Sequence, residues 1–161
     1  MTRPLAIIFI IASILSIAWC ISRDIILEKD YPSDLRNRIV GARLQMDGKS
    51  PYFYCWKPGE PIRYYDPKNI QNQAFSNATA TPFFHQLLYP IANIPQRNIS
   101  IIWLILQYAG ILVLTGLAIR LARTPARKLL ATSAVLLFLH TQFWVGHVAV
   151  GQLYLVIPVC T

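Results

Sequence analysis

Ile99-Ser-Ile-Ile-Trp-Leu-Ile-Leu-Gln-Tyr-Ala-Gly-Ile-Leu-Val-Leu-Thr-Gly-Leu-Ala-Ile119 contains no Asp, Glu, Lys or Arg. A bilayer-spanning helix needs about 20 mostly apolar residues, so this run reads as a transmembrane helix over 99–119. Two more charge-free runs flank it, Pro4–Ser22 and Leu129–Thr161. The first fits one helix over 4–22. The second is too long for one ordinary span and is interrupted by Gly146 and by Gly151-Gln152. It reads as a helix over 129–147 followed by the start of a fourth over 152–161, in which Gly151-Gln152 opens the new helix. The sequence stops inside that segment, so the expectation is an all-α, multi-pass membrane protein that is truncated. Composition agrees, with 55% hydrophobic and only 14% charged residues among 161, against roughly a quarter charged in soluble domains. The odd set Cys20, Cys55 and Cys160 excludes a disulfide scaffold.

Orientation follows from short-loop charge. The linker 120–128 carries Arg120, Arg123, Arg127 and Lys128 with no acid, which places it and the N-terminus in the cytoplasm and residues 23–98 outside. The first apolar run is longer than a signal-peptide core and lacks a small-x-small cleavage site, so it reads as a retained anchor. The net charge of +8 does not point to nucleic acid: Arg3 and the linker supply most of it, and every acid lies between Asp24 and Asp66. No basic, aromatic-interleaved strip that would track a phosphate backbone is present.

An outer segment as long as 23–98 is expected to be structured. Ser33 and Asp34 suit the start of a helix over about 34–47, within which Leu35, Ile39, Ala42 and Met46 fall in a sector of about 60°. That narrow stripe suits a helix lying on the membrane surface or against other helices. Asp34, Arg38 and Gln45 cluster beside it, whereas Arg36 and Arg43 point away from Asp34. Asp47-Gly48 ends the helix through the left-handed freedom of glycine, and Ser50-Pro51-Tyr52 leaves in extended form. The aromatic stretch from Tyr52 to Tyr65 fits an irregular loop anchored at the interface. Thr81-Pro82 opens a second short helix over 82–90. His140, Gln142 and His147, in or near the third span, are expected to hydrogen-bond between helices.

A first span, an outer Asp34-Leu35 opening an amphipathic helix with Ala42, Gly48 followed by Pro51-Tyr52, then Thr81-Pro82-Phe83, Tyr89-Pro90 and Gly151-Gln152-Leu153, occur in that order. In this order and spacing the chain resembles the GT-C membrane glycosyltransferases, and among them the polyprenol-phosphate-dependent mannosyltransferases of family 87, over about the first third of such an enzyme. It departs from their pattern at Arg38, Ile39 and Tyr154. The resemblance implies transfer of a mannose-like hexose from a polyprenyl-phosphate donor to a hydroxyl of a glycan or lipid acceptor, on the outer face of a bacterial-type cytoplasmic membrane. A carboxylate must take the acceptor proton, and a cation must stabilise the departing phosphate. Asp34 is the candidate base, with Asp30 in reserve. Arg38 is the first candidate for the phosphate, with Arg36 and Arg43 behind it, and Gln152 is a further candidate facing the donor. No cofactor is implied, and no His, Cys and carboxylate pattern at metal-ligand spacing occurs.

Two other readings accompany this one. Asp34 capping its helix and pairing with Arg38 would be worth only about 0.2–0.5 kcal/mol. A non-catalytic membrane subunit, whose outer segment binds a partner or lipid headgroups, would need no catalytic residue at all. A small transporter has little support, since no charge-free run contains a paired, broken repeat.

Overall fold

The computed structural model describes residues 3–27, 33–66 and 80–152. Its elements are the helices α1 (Arg3–Leu27), α2 (Ser33–Met46), α3 (Pro82–Leu87), α4 (Tyr89–Ala92), α5 (Gln96–Leu121), α6 (Pro125–Leu139) and α7 (Gln142–Val150), with a 3-10 turn at Ile62–Tyr64. No strand occurs among the described residues. The all-helical class expected from the sequence is what the chain adopts. Two helices, α1 and α5, are long and apolar enough to cross a membrane. The chain divides into two compact units, one of residues 1–30 with 101–161 and one of residues 31–100.

In the first unit, α1 buries only Cys20 and Asp24 among its described residues, and leaves Ile8, Leu15 and Trp19 more than half exposed. A fully buried Leu or Ile side chain is worth about 1.5–3 kcal/mol, so such a helix is stable in lipid rather than water. Its length is a correction to the expected 4–22. Arg23 and Asp24 do not end the helix; they continue it to Leu27, because both find partners on neighbouring helices.

Asp24 is fully buried. Its carboxylate accepts from Arg23 Nε at 2.8 Å, from the Tyr108 hydroxyl of α5 at 2.7 Å and from Trp144 Nε1 of α7 at 2.7 Å. Arg23 Nη2 also donates to the Leu139 carbonyl at 2.9 Å, one of the last carbonyls of α6, which have no partner within their own helix. Around this cluster Cys20, Leu104, Ile111, Leu139, Trp144 and Val148 form the apolar core.

The run expected as one helix over 129–147 is two helices, bent by 58°. Thr141 makes the break: its hydroxyl accepts from Trp144 N and donates to the Phe138 carbonyl at 2.7 Å, ending one helix and capping the next. His140, at the break, bonds Ser16 of α1 at 2.8 Å. His147 Nε2 meets Gln107 Oε1 at 3.0 Å, and Gln107 Nε2 donates to the Gln152 carbonyl at 3.0 Å. Gly151 also differs from expectation. With φ of 74° it closes α7, the Gly151 and Gln152 amides returning to the Val148 and His147 carbonyls at 3.0 and 3.1 Å, a left-handed helix stop. The remainder of the expected fourth segment, 153–161, lies outside the described residues.

In the second unit α2 packs against α3, α4 and the 3-10 turn. Leu35, Ile39 and Ala42 of the expected stripe are buried, but so are Asn37, Val40, Gly41 and Leu44, while Met46 is 39% exposed. Of the two expected placements, the stripe packs against other helices, and the burial extends beyond it, so the helix is enclosed on several faces. Val40 and Leu44 pack with Tyr64, Tyr54 and Trp56, so the aromatic stretch supplies core to the unit. The expected helix over 82–90 is two pieces, because Pro90 has no N–H for the Gln86 carbonyl and instead falls in the first turn of α4.

Replacing Asp24 by Leu strands three donors and leaves Arg23 without its carboxylate. The expected loss is about 3–5 kcal/mol, read by thermal unfolding in mild detergent, and adding Arg23→Met should recover much of it. An unaltered melting temperature in Asp24→Leu would show that the cluster does not hold α1, α5 and α7 together.

Candidate functional site

The first turn of α2 holds the residues the sequence singled out. Ser33 Oγ donates to Asp34 Oδ1 at 3.5 Å, and Arg38 Nη2 stands 3.8 Å from Asp34 Oδ2, one turn on. The Asp34 side chain is 35% exposed and that of Arg38 14%. The Arg38 guanidinium lies over the Phe84 ring of α3, 5.8 Å from its centre, a cation–π contact that holds the charge in place. The site therefore offers a partly exposed carboxylate and a guanidinium held beside it. A carboxylate so placed can accept a proton from a hydroxyl, and a guanidinium can bind two oxygens of a phosphate at once.

The other candidates are held elsewhere. Arg36 Nε is 3.9 Å from Asp66 Oδ1, and Asn37 Nδ2 donates to Asp66 Oδ2 at 3.2 Å, so the fully buried Asp66 is fastened to the face of α2 that carries Arg36 and Asn37. Arg43 donates to the Ala92, Arg63 and Ile94 carbonyls at 2.6, 2.9 and 3.2 Å; it ties the 3-10 turn and the end of α4 to α2. Gln152 belongs to the other unit, at the end of α7. Asp30 lies outside the described residues. Of the sequence candidates, the structure brings together Asp34 and Arg38. Asp66 escaped the sequence reading because it stands in a proline- and tyrosine-rich stretch with no periodicity.

His85 also escaped it. The ring is fully buried, its Nδ1 donates to the Arg38 carbonyl at 3.1 Å, and its Nε2 has no hydrogen-bond partner. It fits because residue 41 is glycine: a Cβ there would lie 2.2 Å from the ring Cε1 and 2.7 Å from Nδ1. Burial lowers the His85 pKa below its ordinary 6.5; the bond to the Arg38 carbonyl opposes this, and the Arg38 charge adds to it.

At the other end of α2, Gly48 takes φ of 69°, and the Gly48 and Lys49 amides return to the Gln45 and Leu44 carbonyls at 3.1 and 2.8 Å, the expected left-handed stop. Lys49 Nζ lies 4.6 Å from the centre of the Tyr64 ring and 5.4 Å from that of Tyr54. Tyr64 donates to Asp47, and Tyr54 donates to Glu60 at 2.6 Å. That bond lowers the Glu60 pKa, while burial, with Glu60 beside it, raises that of Tyr54.

No protein-family model, curated protein or solved structure matches the chain.

Gly41→Ala should destabilise the second unit by about 1–3 kcal/mol through overpacking, even though alanine is the better helix former by about 1 kcal/mol. A melting temperature equal to or above that of the wild type would mean that the ring does not occupy this cradle. Because the folded-state pKa of His85 is depressed, the unfolded chain binds more protons below pH 6.5. The stability owed to neutral His85 is thus complete above that pH and declines as pH falls through it. Melting curves between about pH 7.5 and 5 should show this decline, and His85→Gln should flatten it.

Proposed function

We propose that the chain is a multi-pass membrane glycosyltransferase of the GT-C type, transferring a hexose from a polyprenyl-phosphate donor to a glycan or lipid hydroxyl on the outer face of a cytoplasmic membrane. The observation that carries the reading is the Asp34–Arg38 pair, partly open to solvent, in a unit whose two ends lead covalently to membrane-length helices. The basic linker Arg120–Lys128 supports a cytoplasmic N-terminus and an outer position for residues 23–98.

In this reaction Asp34 takes the proton of the acceptor hydroxyl, and the oxygen forms its bond to the anomeric carbon. The bond from that carbon to the phosphate oxygen breaks with its electron pair, and Arg38 stabilises the charge that the phosphate carries away.

One observation favours the non-catalytic reading, that of a membrane subunit binding a partner or headgroups: Arg36 and Arg43 turn to Asp66 and to backbone carbonyls, leaving a single arginine beside Asp34. Asp34→Asn distinguishes the two. In membranes supplied with a labelled polyprenyl-phosphate hexose, transfer should fall by about 100-fold or more with the melting temperature unchanged. Transfer within a few-fold of wild type would remove Asp34 from the mechanism. Stoichiometric co-purification with another membrane protein, with no transfer by the wild type, would establish the non-catalytic reading.

A further inference from the structure

Helix α3 meets the candidate site at two points, and both fall on one residue. The Arg38 guanidinium lies over the Phe84 ring, 5.8 Å from its centre. The next residue, His85, donates from Nδ1 to the Arg38 carbonyl at 3.1 Å. Adjacent residues of one helix thus hold the side chain and the backbone of the same arginine. α3 spans only Pro82–Leu87, too short to stand alone in water, so its place depends on how it docks. Its seat is on α2, where Gly41 leaves room for the His85 ring. Two further bonds guide the approach: the Thr81 hydroxyl accepts from Phe84 N at 3.3 Å, and the Tyr52 hydroxyl donates to the Ala80 carbonyl at 2.8 Å.

The seat suits the neutral ring alone. Nδ1 keeps its proton for the Arg38 carbonyl, so neutral His85 carries a lone pair on Nε2, which is buried and has no partner. A proton there would create an N–H without an acceptor and a second positive charge beside Arg38. An unpaired charge away from water is costly, and the surroundings do nothing to offset it. From α2 the ring is faced by the Arg38 charge, which opposes the proton. From the turn after α2 it is faced by the Tyr52 ring, 6.3 Å away between centres. α4, also packed on α3, carries Tyr89 and no charged residue. No carboxylate is among these groups.

We propose that His85 is a positioning residue that makes the grip of Arg38 on phosphate depend on protonation: neutral, it seats α3 and fixes the guanidinium beside Asp34; protonated, it leaves the cradle and releases it. Only the identity of what Arg38 binds rests on the transferase reading; the seating of α3 does not. Because burial lowers the His85 pKa, the seated state prevails at neutral pH and gives way as pH falls. A guanidinium released from Phe84 keeps its charge but loses its orientation, and with it the two-point bond to phosphate.

The test follows Arg38 itself, by NMR of the full chain in lipid nanodiscs with 15N-labelled arginine. The Arg38 Nε signal is identified by its loss in Arg38→Lys, and its displacement by the Phe84 ring by what Phe84→Leu removes. Between about pH 7.5 and 5 the wild-type signal should move to its position in Phe84→Leu, at temperatures where the protein is still folded. His85→Asn, whose Nδ2 takes the place of the ring Nδ1 and does not titrate, should keep the displaced signal at both ends of the range. His85→Leu should have lost it at both. With a labelled polyprenyl-phosphate hexose, the donor KM of the wild type should rise about five-fold over the same range and that of His85→Asn stay level. A change in kcat that arises at Asp34 is common to both and leaves this comparison untouched. A wild-type signal that stays in place at pH 5, that moves equally in His85→Asn, or that persists in His85→Leu would overturn the proposal. If Arg38 follows His85 as stated while the wild type transfers no hexose, the transferase reading fails and the positioning role stands.

Discussion

A carboxylate out of reach of water must find every hydrogen bond inside the protein, and Asp24 is the point at which this chain meets that requirement. Three donors converge on it, from Arg23, Tyr108 and Trp144, and each comes from a part of the chain that must be placed for the bond to form. The constraint reaches further through Arg23, whose second contact fills an orphan carbonyl at the end of α6. Burying one charge thereby fixes α1, α5, α7 and the break between α6 and α7. The apolar contacts around Trp144 add area, but van der Waals contacts between apolar side chains do not specify partners as a buried charge does, and in lipid the hydrophobic effect between helices is absent.

The second unit answers a different problem, that of enclosing a helix whose sequence is only weakly apolar. α2 achieves it with local devices. Gly41 admits the His85 ring, Arg43 stitches three backbone carbonyls, and Asp66 is held between Arg36 and Asn37. Polar side chains that looked available for a substrate in sequence are mostly occupied in binding the unit together. Asp34 and Arg38 stand together near the start of the same helix.

Charge-free runs announced the membrane-length helices because transfer to lipid is a bulk property, additive along the chain and indifferent to neighbours. Helix stops were legible where a glycine could be recognised from its position, as at Gly48. The same logic misfired at Gly151, where Gly-Gln looked like a beginning and proved to be an end, since the left-handed turn reads alike from either side. The Asp34–Arg38 pair was legible for a similar reason: i,i+4 spacing is a local fact. His85 and Asp66 were not, because nothing within a few residues of either one predicts a cradle at Gly41 or a cage on α2.

The sequence by itself determined the helical class, the two membrane-length helices and the juxtaposition of Asp34 and Arg38, all of which depend on hydropathy and periodicity over one or a few turns. Only the tertiary structure decided that α1 carries its charges onward to Leu27, that α2 is enclosed on several faces, that Arg36 and Arg43 turn to Asp66 and the backbone, and that the His85 ring lies in the Gly41 cradle. Those outcomes rest on pairings between residues tens of positions apart, whose energies exist only once burial has removed water as the competing partner.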